Sequence, residues 1–179
     1  MTTSTYPERP GAITFRGTPM TLVGTPVRAG DPAPDFQLTS GALAPFTLKE
    51  AIDAGARNAL FIAVPSLDTP TCSIETNTFN KRLGEVPAGT AVFVVSADLP
   101  FAQNRWAAAN GAEALTYLSD YRQRSFGTAY GILIKELLLL ARANFVVGKN
   151  GTVTYAEIVP EVATEPNYDA TLAALKHLK

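Results

Sequence analysis

Cys72 is the only cysteine in the chain, and it stands where an apolar strand has ended and a helix is about to begin. The run Leu60-Phe61-Ile62-Ala63-Val64 stops at Pro65, and Ser66-Leu67-Asp68-Thr69-Pro70-Thr71 then delivers the thiol. Beyond Cys72 the spacing predicts an amphipathic helix with Ile74, Phe79 and Leu83 facing a core. The unpaired amides and positive dipole end of a helix favour an anion, and a nucleophilic sulfur has to be one. Thr69, three residues ahead, offers a hydroxyl to the sulfur or to an incoming oxygen; its plainer use is as a loop or N-cap threonine. Pro65 either terminates the strand only, or also walls one side of a pocket. A cation has to come from elsewhere in the chain. Arg142 is the best candidate, because it opens the apolar run Ala143-Asn144-Phe145-Val146-Val147, expected beside the cysteine strand; its plainer use is as a solvated strand-end arginine, and the residues alone do not select it. The plainer use of a lone cysteine is as a small buried hydrophobe.

The elements that would position these groups follow from patterning. Ile13-Thr14-Phe15-Arg16 and Met20-Thr21-Leu22-Val23, on either side of Gly17-Thr18-Pro19, predict a β-hairpin ahead of the main fold. The breaker cluster Gly30-Asp31-Pro32-Ala33-Pro34 leads into an alternating strand over residues 35–39. Thr47 and Glu50 have capping-box spacing for a short helix through Ile52. The continuous run Thr90-Ala91-Val92-Phe93-Val94-Val95-Ser96 suits a central strand covered on both faces. A helix over 101–109 closes at Asn110-Gly111. A short strand over 116–118 and a helix over 123–130 come next. Asn150-Gly151 marks a hairpin between strands over 143–147 and 152–156. Pro166 introduces a last helix over 168–178. Strands alternating with helices, closed by a hairpin and a helix, give an α/β fold with a mixed central sheet flanked by helices. One domain is expected over 1–179, with 1–11 as a loose arm.

Composition narrows the chemistry. A chain of 179 residues, 46% hydrophobic and 17% charged, can bury a proper core. The net charge of −1 and the lack of a basic run disfavour nucleic acid as a partner. A single cysteine excludes an internal disulfide framework and fits a reducing compartment. The single histidine, His177, leaves neither a His- and Cys-rich zinc site nor a Ser-His-Asp triad away from the tail. No signal-peptide core and no membrane-length apolar run stand out, so a cytoplasmic, membrane-free placement is expected.

Pro65-x-x-x-Thr69-x-x-Cys72 resembles the PxxxTxxC active-site motif of peroxiredoxins. Gly30-Asp31-Pro32-Ala33-Pro34-Asp35-Phe36 is similar to the segment that opens the peroxiredoxin core. Ser96-Ala97-Asp98-Leu99-Pro100-Phe101-Ala102-Gln103, Arg124-Ser125-Phe126-Gly127, Ala141-Arg142-Ala143 and Glu165-Pro166-x-Tyr168-Asp169-Ala170 resemble the bacterial thiol peroxidase branch. The resemblance implies a thioredoxin-like fold with an N-terminal β-hairpin extension. It also implies a homodimer that reduces hydrogen peroxide and alkyl hydroperoxides without metal or organic cofactor. Carried across, Cys72 corresponds to the peroxidatic cysteine, Thr69 and Arg142 to its polar partners, and Pro65 to the shielding proline.

The pattern departs from that branch at two places. The resolving cysteine expected after Arg105-Trp106 is replaced by Ala107. Reduction then falls to an external thiol of the thioredoxin kind, or to a mixed disulfide with a partner; alternatively, Ala107 is a substitution that traps an intermediate. Residues 135–140 are also shorter than the loop that some members carry before the arginine. Two other functions remain open on sequence: a redox sensor that passes oxidation to a partner, and a thioredoxin-fold binding module with an inert Cys72. A CxxC disulfide reductase is disfavoured, because Thr69 and Glu75 occupy the positions three residues away.

Overall fold

The computed structural model describes residues 6–55 and 57–176. The chain opens with the expected hairpin, β1 (Glu8–Phe15) and β2 (Thr18–Val23), paired antiparallel. Its loop is only Arg16 and Gly17, both at positive φ (50° and 79°), as a tight turn matched to right-handed strand twist requires. Because β1 begins at Glu8, the loose arm expected over 1–11 does not extend to residues 8–11; residues 1–5 lie outside the described ones. Next come β3 (Gln37–Ser40), β4 (Pro45–Thr47) and α1 (Leu48–Ala54). Thr47 and Glu50 form the anticipated capping box, the Thr47 amide donating to Glu50 Oε2 at 2.7 Å.

The chain continues through β5 (Asn58–Ala63), α2 (Pro70–Lys81), β6 (Thr90–Ser96), α3 (Pro100–Asn110) and β7 (Thr116–Ser119). Gly111, in the left-handed region at φ 60°, stops α3 where the sequence places the break. It ends with α4 (Ser125–Ala129), β8 (Leu133–Ile134), β9 (Leu139–Leu140), β10 (Ala143–Gly148), β11 (Val153–Ile158) and α5 (Tyr168–Lys176). The helix predicted over 123–130 is shorter. Arg124 is left-handed at φ 53°, and the buried Asp120 carboxylate accepts the Phe126 and Gly127 amides, so helical pairing starts only at Ser125. His177 and the last turn expected to 178 fall outside the described residues. No helix among the described residues is long and apolar enough to cross a membrane.

Seven strands form one sheet in the order β11-β10-β5-β6-β7-β3-β4. The β5–β6 and β6–β7 pairs are parallel and the others antiparallel, so the sheet is mixed as expected. Every residue of β5 is buried, and its alternation divides the interior in two. Ala59, Phe61 and Ala63 join a core with Phe93, Phe126, Tyr130 and Phe145, while Leu60, Ile62 and Val64 join one with Cys72, Phe79, Trp106 and Leu172. The hairpin does not stand alone: β2 pairs with β8, giving a second, four-stranded sheet β1-β2-β8-β9. The short 135–140 segment is the tip of the β8–β9 ladder, turned by Leu138 at φ 54°.

Gly24, at φ 105°, lets this second sheet meet the turn after α4. A Cβ there would sit 2.0 Å from the Thr128 carbonyl oxygen. Gly24→Ala is therefore expected to cost at least about 2 kcal/mol, from overpacking against fixed backbone plus an unfavourable φ. Urea unfolding checks it; an unchanged midpoint would show that the junction can relax.

Candidate active site

The site forms where β5 ends. Val64 continues the parallel pairing, its amide donating to the Val95 carbonyl at 2.9 Å, and the buried Pro65 then breaks the ladder. The loop that follows is tied down by Asp98. One carboxylate oxygen accepts the Ser66 hydroxyl at 2.7 Å, and the other accepts the Leu67 amide and the Ser96 hydroxyl, each at 2.8 Å. Gln103, fully buried, donates to Ser96 Oγ and to the Leu118 carbonyl, both at 2.9 Å. The Ser96–Gln103 segment thus does structural work: it fastens the cysteine loop to the end of β6.

Pro70 starts α2, a favoured helix opening because its missing N–H is not needed there. Ser73 donates to the Thr69 carbonyl at 3.0 Å, so helical pairing begins at Ser73 and the Thr71 and Cys72 amides lie at the positive end of the dipole. Cys72 is inside the first turn and fully buried. Phe79 faces the core as expected, but the rest of the expected face does not. Cys72, Glu75, Thr76 and Phe79 point inward, whereas Ile74 is 51% exposed and Leu83 only half-buried. Apolar periodicity misassigned that part because a carboxylate occupies the core side.

Arg142 explains that carboxylate. It precedes β10, which pairs antiparallel with β5 from Ala143 opposite Ala63, so its side chain is delivered beside the cysteine loop as expected. It is only 1% exposed. Nη1 donates to Glu75 Oε2; Nη2 donates to the Val162 carbonyl at 2.9 Å and to Cys72 Sγ at 3.5 Å; Nε reaches the same carbonyl at 3.3 Å. Burial works against the charge on Arg142, and the neighbouring Glu75 and Cys72 outweigh it, so its pKa is raised. Burial pushes Glu75 up to about 8, with Arg142 opposing and Glu157 and Glu165 adding to the rise. Its Oε1 is buried without a hydrogen-bond partner, which adds to the cost of ionising it.

Cys72 and Arg142 are therefore brought together, with Pro65 and Thr69 on the connecting loop. Thr69 holds the N-cap position by backbone geometry, but its hydroxyl donates to the Ser66 carbonyl at 2.9 Å instead of capping the helix. That leaves the oxygen's lone pairs open to another donor. Three contributors escaped sequence reasoning: Glu75, Val162 and Asp98. Glu75 could have been found, since it lies one helical turn after Cys72 and a buried guanidinium needs acceptors for its N–H groups. Val162 acts through a backbone carbonyl, which side-chain identity does not reveal.

The Redoxin family model matches residues 28–172. A thiol peroxidase of Clostridium acetobutylicum is 47% identical over 167 residues, 93% of this chain and 99% of that protein. One from Bacillus subtilis is 46% identical over 169 residues, 93% of this chain and 97% of that protein. A peroxiredoxin-like protein from Aquifex aeolicus is 37% identical and superimposes with a TM-score of 0.84, covering 94% of this chain and 98% of that one. The chain belongs to the redoxin family, in the bacterial thiol peroxidase branch of the peroxiredoxins. The thioredoxin-like fold class follows from the same relationship.

In the folded protein Glu75 holds its proton up to about pH 8, against an ordinary value of 4.5 when unfolded. The resulting stability is complete below pH 4.5 and is lost as pH rises through about 8. With one proton at stake, the slope approaches about 1.4 kcal/mol per pH unit. Glu75→Gln has no such proton to lose, so its stability should fall less across that window. Urea midpoints that run parallel for the two proteins would contradict the raised Glu75.

Proposed function

We propose that the chain is a thiol-dependent peroxidase in which Cys72 is oxidised by hydrogen peroxide or an alkyl hydroperoxide and then reduced by an external thiol. The observation that carries the reading is the fully buried Cys72 Sγ at a helix start, 3.5 Å from a buried guanidinium. Its thiol peroxidase relatives across almost the whole chain support the same activity.

Chemically, the Cys72 thiolate attacks one peroxide oxygen in line with the O–O bond. The S–O bond forms as the O–O bond breaks, and both electrons of that bond leave with the second oxygen. That oxygen takes a proton from solvent and departs as water or an alcohol, while the attacked oxygen keeps its hydrogen and leaves sulfenic acid on Cys72. Negative charge passes from sulfur to the departing oxygen, so donors fixed beside both atoms stabilise the transition state. Arg142 Nη2 is the donor at the sulfur. One of its hydrogens points to Val162 and the other to Sγ. Thr69 can accept a hydrogen from the peroxide while its own goes to Ser66, and Pro65 closes the wall behind the loop.

Position 107 lies on α3, buried in the same apolar cluster as Cys72, and it holds alanine. It offers no thiol to condense with the sulfenic acid, so turnover needs a thiol from outside the chain, of the thioredoxin kind. A cytoplasmic setting, where such reductants keep thiols free, suits the lone Cys72. Exposed Leu99 and Phe101, flanking Pro100 next to the Asp98 clamp, supply apolar surface for a second copy in a homodimer.

Stopped-flow fluorescence of Trp106, which shares the Cys72 cluster, follows the reduced protein mixed with hydrogen peroxide. A fast phase should appear with a mass gain of one oxygen on Cys72, and Cys72→Ser should lose both. Arg142→Ala should slow the phase by roughly 10²–10³-fold, the usual loss for a charge-stabilising donor. Wild-type protein inert at millimolar peroxide would overturn the reading.

A further inference from the structure

The segment matched by the redoxin model starts at residue 28, after the β1–β2 hairpin. Even so, the hairpin grips the loop that holds the site's cation. Thr14 donates its amide to the Pro160 carbonyl at 2.7 Å, and its own carbonyl accepts the Val162 amide at 2.9 Å. Between these two bonds stands Glu161. Its Oε1 accepts the Arg16 amide at 2.9 Å and the Ala163 amide at 2.9 Å. Its Oε2 accepts the Thr14 hydroxyl at 2.7 Å and the Gly17 amide at 3.1 Å. Arg16 and Gly17 are the two positive-φ residues of the hairpin turn, so their successive amides converge on one carboxylate as an anion nest. These four donors hold Glu161 ionised, with its pKa down at about 2, so the clamp stays charged throughout the neutral range.

The next residue, Val162, presents the carbonyl that accepts from both Nε and Nη2 of Arg142. This acceptor fixes the plane of the guanidinium, and the plane decides whether Nη2 meets Cys72 Sγ. We infer that Glu161 is a positioning residue for the peroxide reaction: by locking the β1–β2 turn to the 159–163 loop, it sets the Val162 carbonyl and through it the orientation of Arg142 toward Cys72. The inference rests on the peroxidase reading for its kinetic consequence, but its geometric core does not depend on peroxide.

The test is a double-mutant cycle in the full chain, using Glu161→Ala, Arg142→Ala and the combination. Displacing a catalytic group by about an ångström can cost up to about a hundredfold. Glu161→Ala should therefore slow Cys72 oxidation by roughly tenfold or more, and lower the ultraviolet thiolate absorbance near neutral pH. In the Arg142→Ala background the same change should have almost no further effect on either readout, because coupled residues are not additive. Thr14→Val, which removes one donor and keeps the backbone pairing, should give a smaller loss and covers the case in which Glu161→Ala fails to fold. A merely structural clamp would lower the urea midpoint equally in both backgrounds and leave rate and thiolate absorbance untouched; that result overturns the inference, as does a full Glu161→Ala effect without Arg142. Absence of peroxide reactivity in the wild type would remove the peroxidase reading, while the thiolate arm of the cycle would still judge the positioning role.

Discussion

The structure depends on satisfying one buried cation. A guanidinium taken out of water costs several kcal/mol unless acceptors meet its N–H groups. Arg142 is almost completely buried, and its acceptors come from two separate stretches: Glu75 and Cys72 on α2, and the Val162 carbonyl on the loop after β11. Each must be in place before the side chain can be. Stability alone does not account for such an arrangement. Exchanging a buried ion pair for apolar groups of similar volume is often neutral, or favourable by about 1–4 kcal/mol. A function for the charge accounts for it better, and the only thiol among the described residues lies in contact with it.

Glu75 keeps that charge from being wasted. A fully ionised carboxylate on Nη1 would neutralise much of the field that Arg142 projects toward the sulfur. Burial that favours the protonated carboxyl lets Glu75 orient the guanidinium with less neutralisation of it. Thr76, beside it on α2, has a buried hydroxyl oxygen with no hydrogen-bond partner among the described residues.

Sequence carried the fold further than it carried the site. Strand runs such as 60–64 and 90–96 are apolar on both faces and could only be central, and the Thr47–Glu50 cap and the Gly111 stop are local chemistry that folding leaves unchanged. Cys72 was readable because it is the only thiol, whereas Arg142, one of several strand-end cations, stood out only through the family resemblance of Ala141-Arg142-Ala143. The inward face of α2 was only partly readable: Phe79 is buried as patterning expects, but Ile74 is not, and the buried Glu75 answers to the distant Arg142. The second sheet was hidden for a related reason: β8 and β9 are two residues each, too short for any period to show, and they exist because β2 offers them an edge.

Two independent networks set the site from opposite sides. Asp98 fixes the loop ahead of Cys72 to the end of β6, so the thiol side is referenced to the parallel core of the sheet. Val162, held through Thr14 and Glu161, references the cation side to the second sheet. The contact between Sγ and Nη2 is where these two networks meet, because Arg142 is held by Glu75 on the cysteine helix and by the Val162 carbonyl on the 159–163 loop. This is why residues as far apart in sequence as Thr14 and Ser96 bear on a single sulfur, and why the PxxxTxxC stretch by itself describes only half of the machinery.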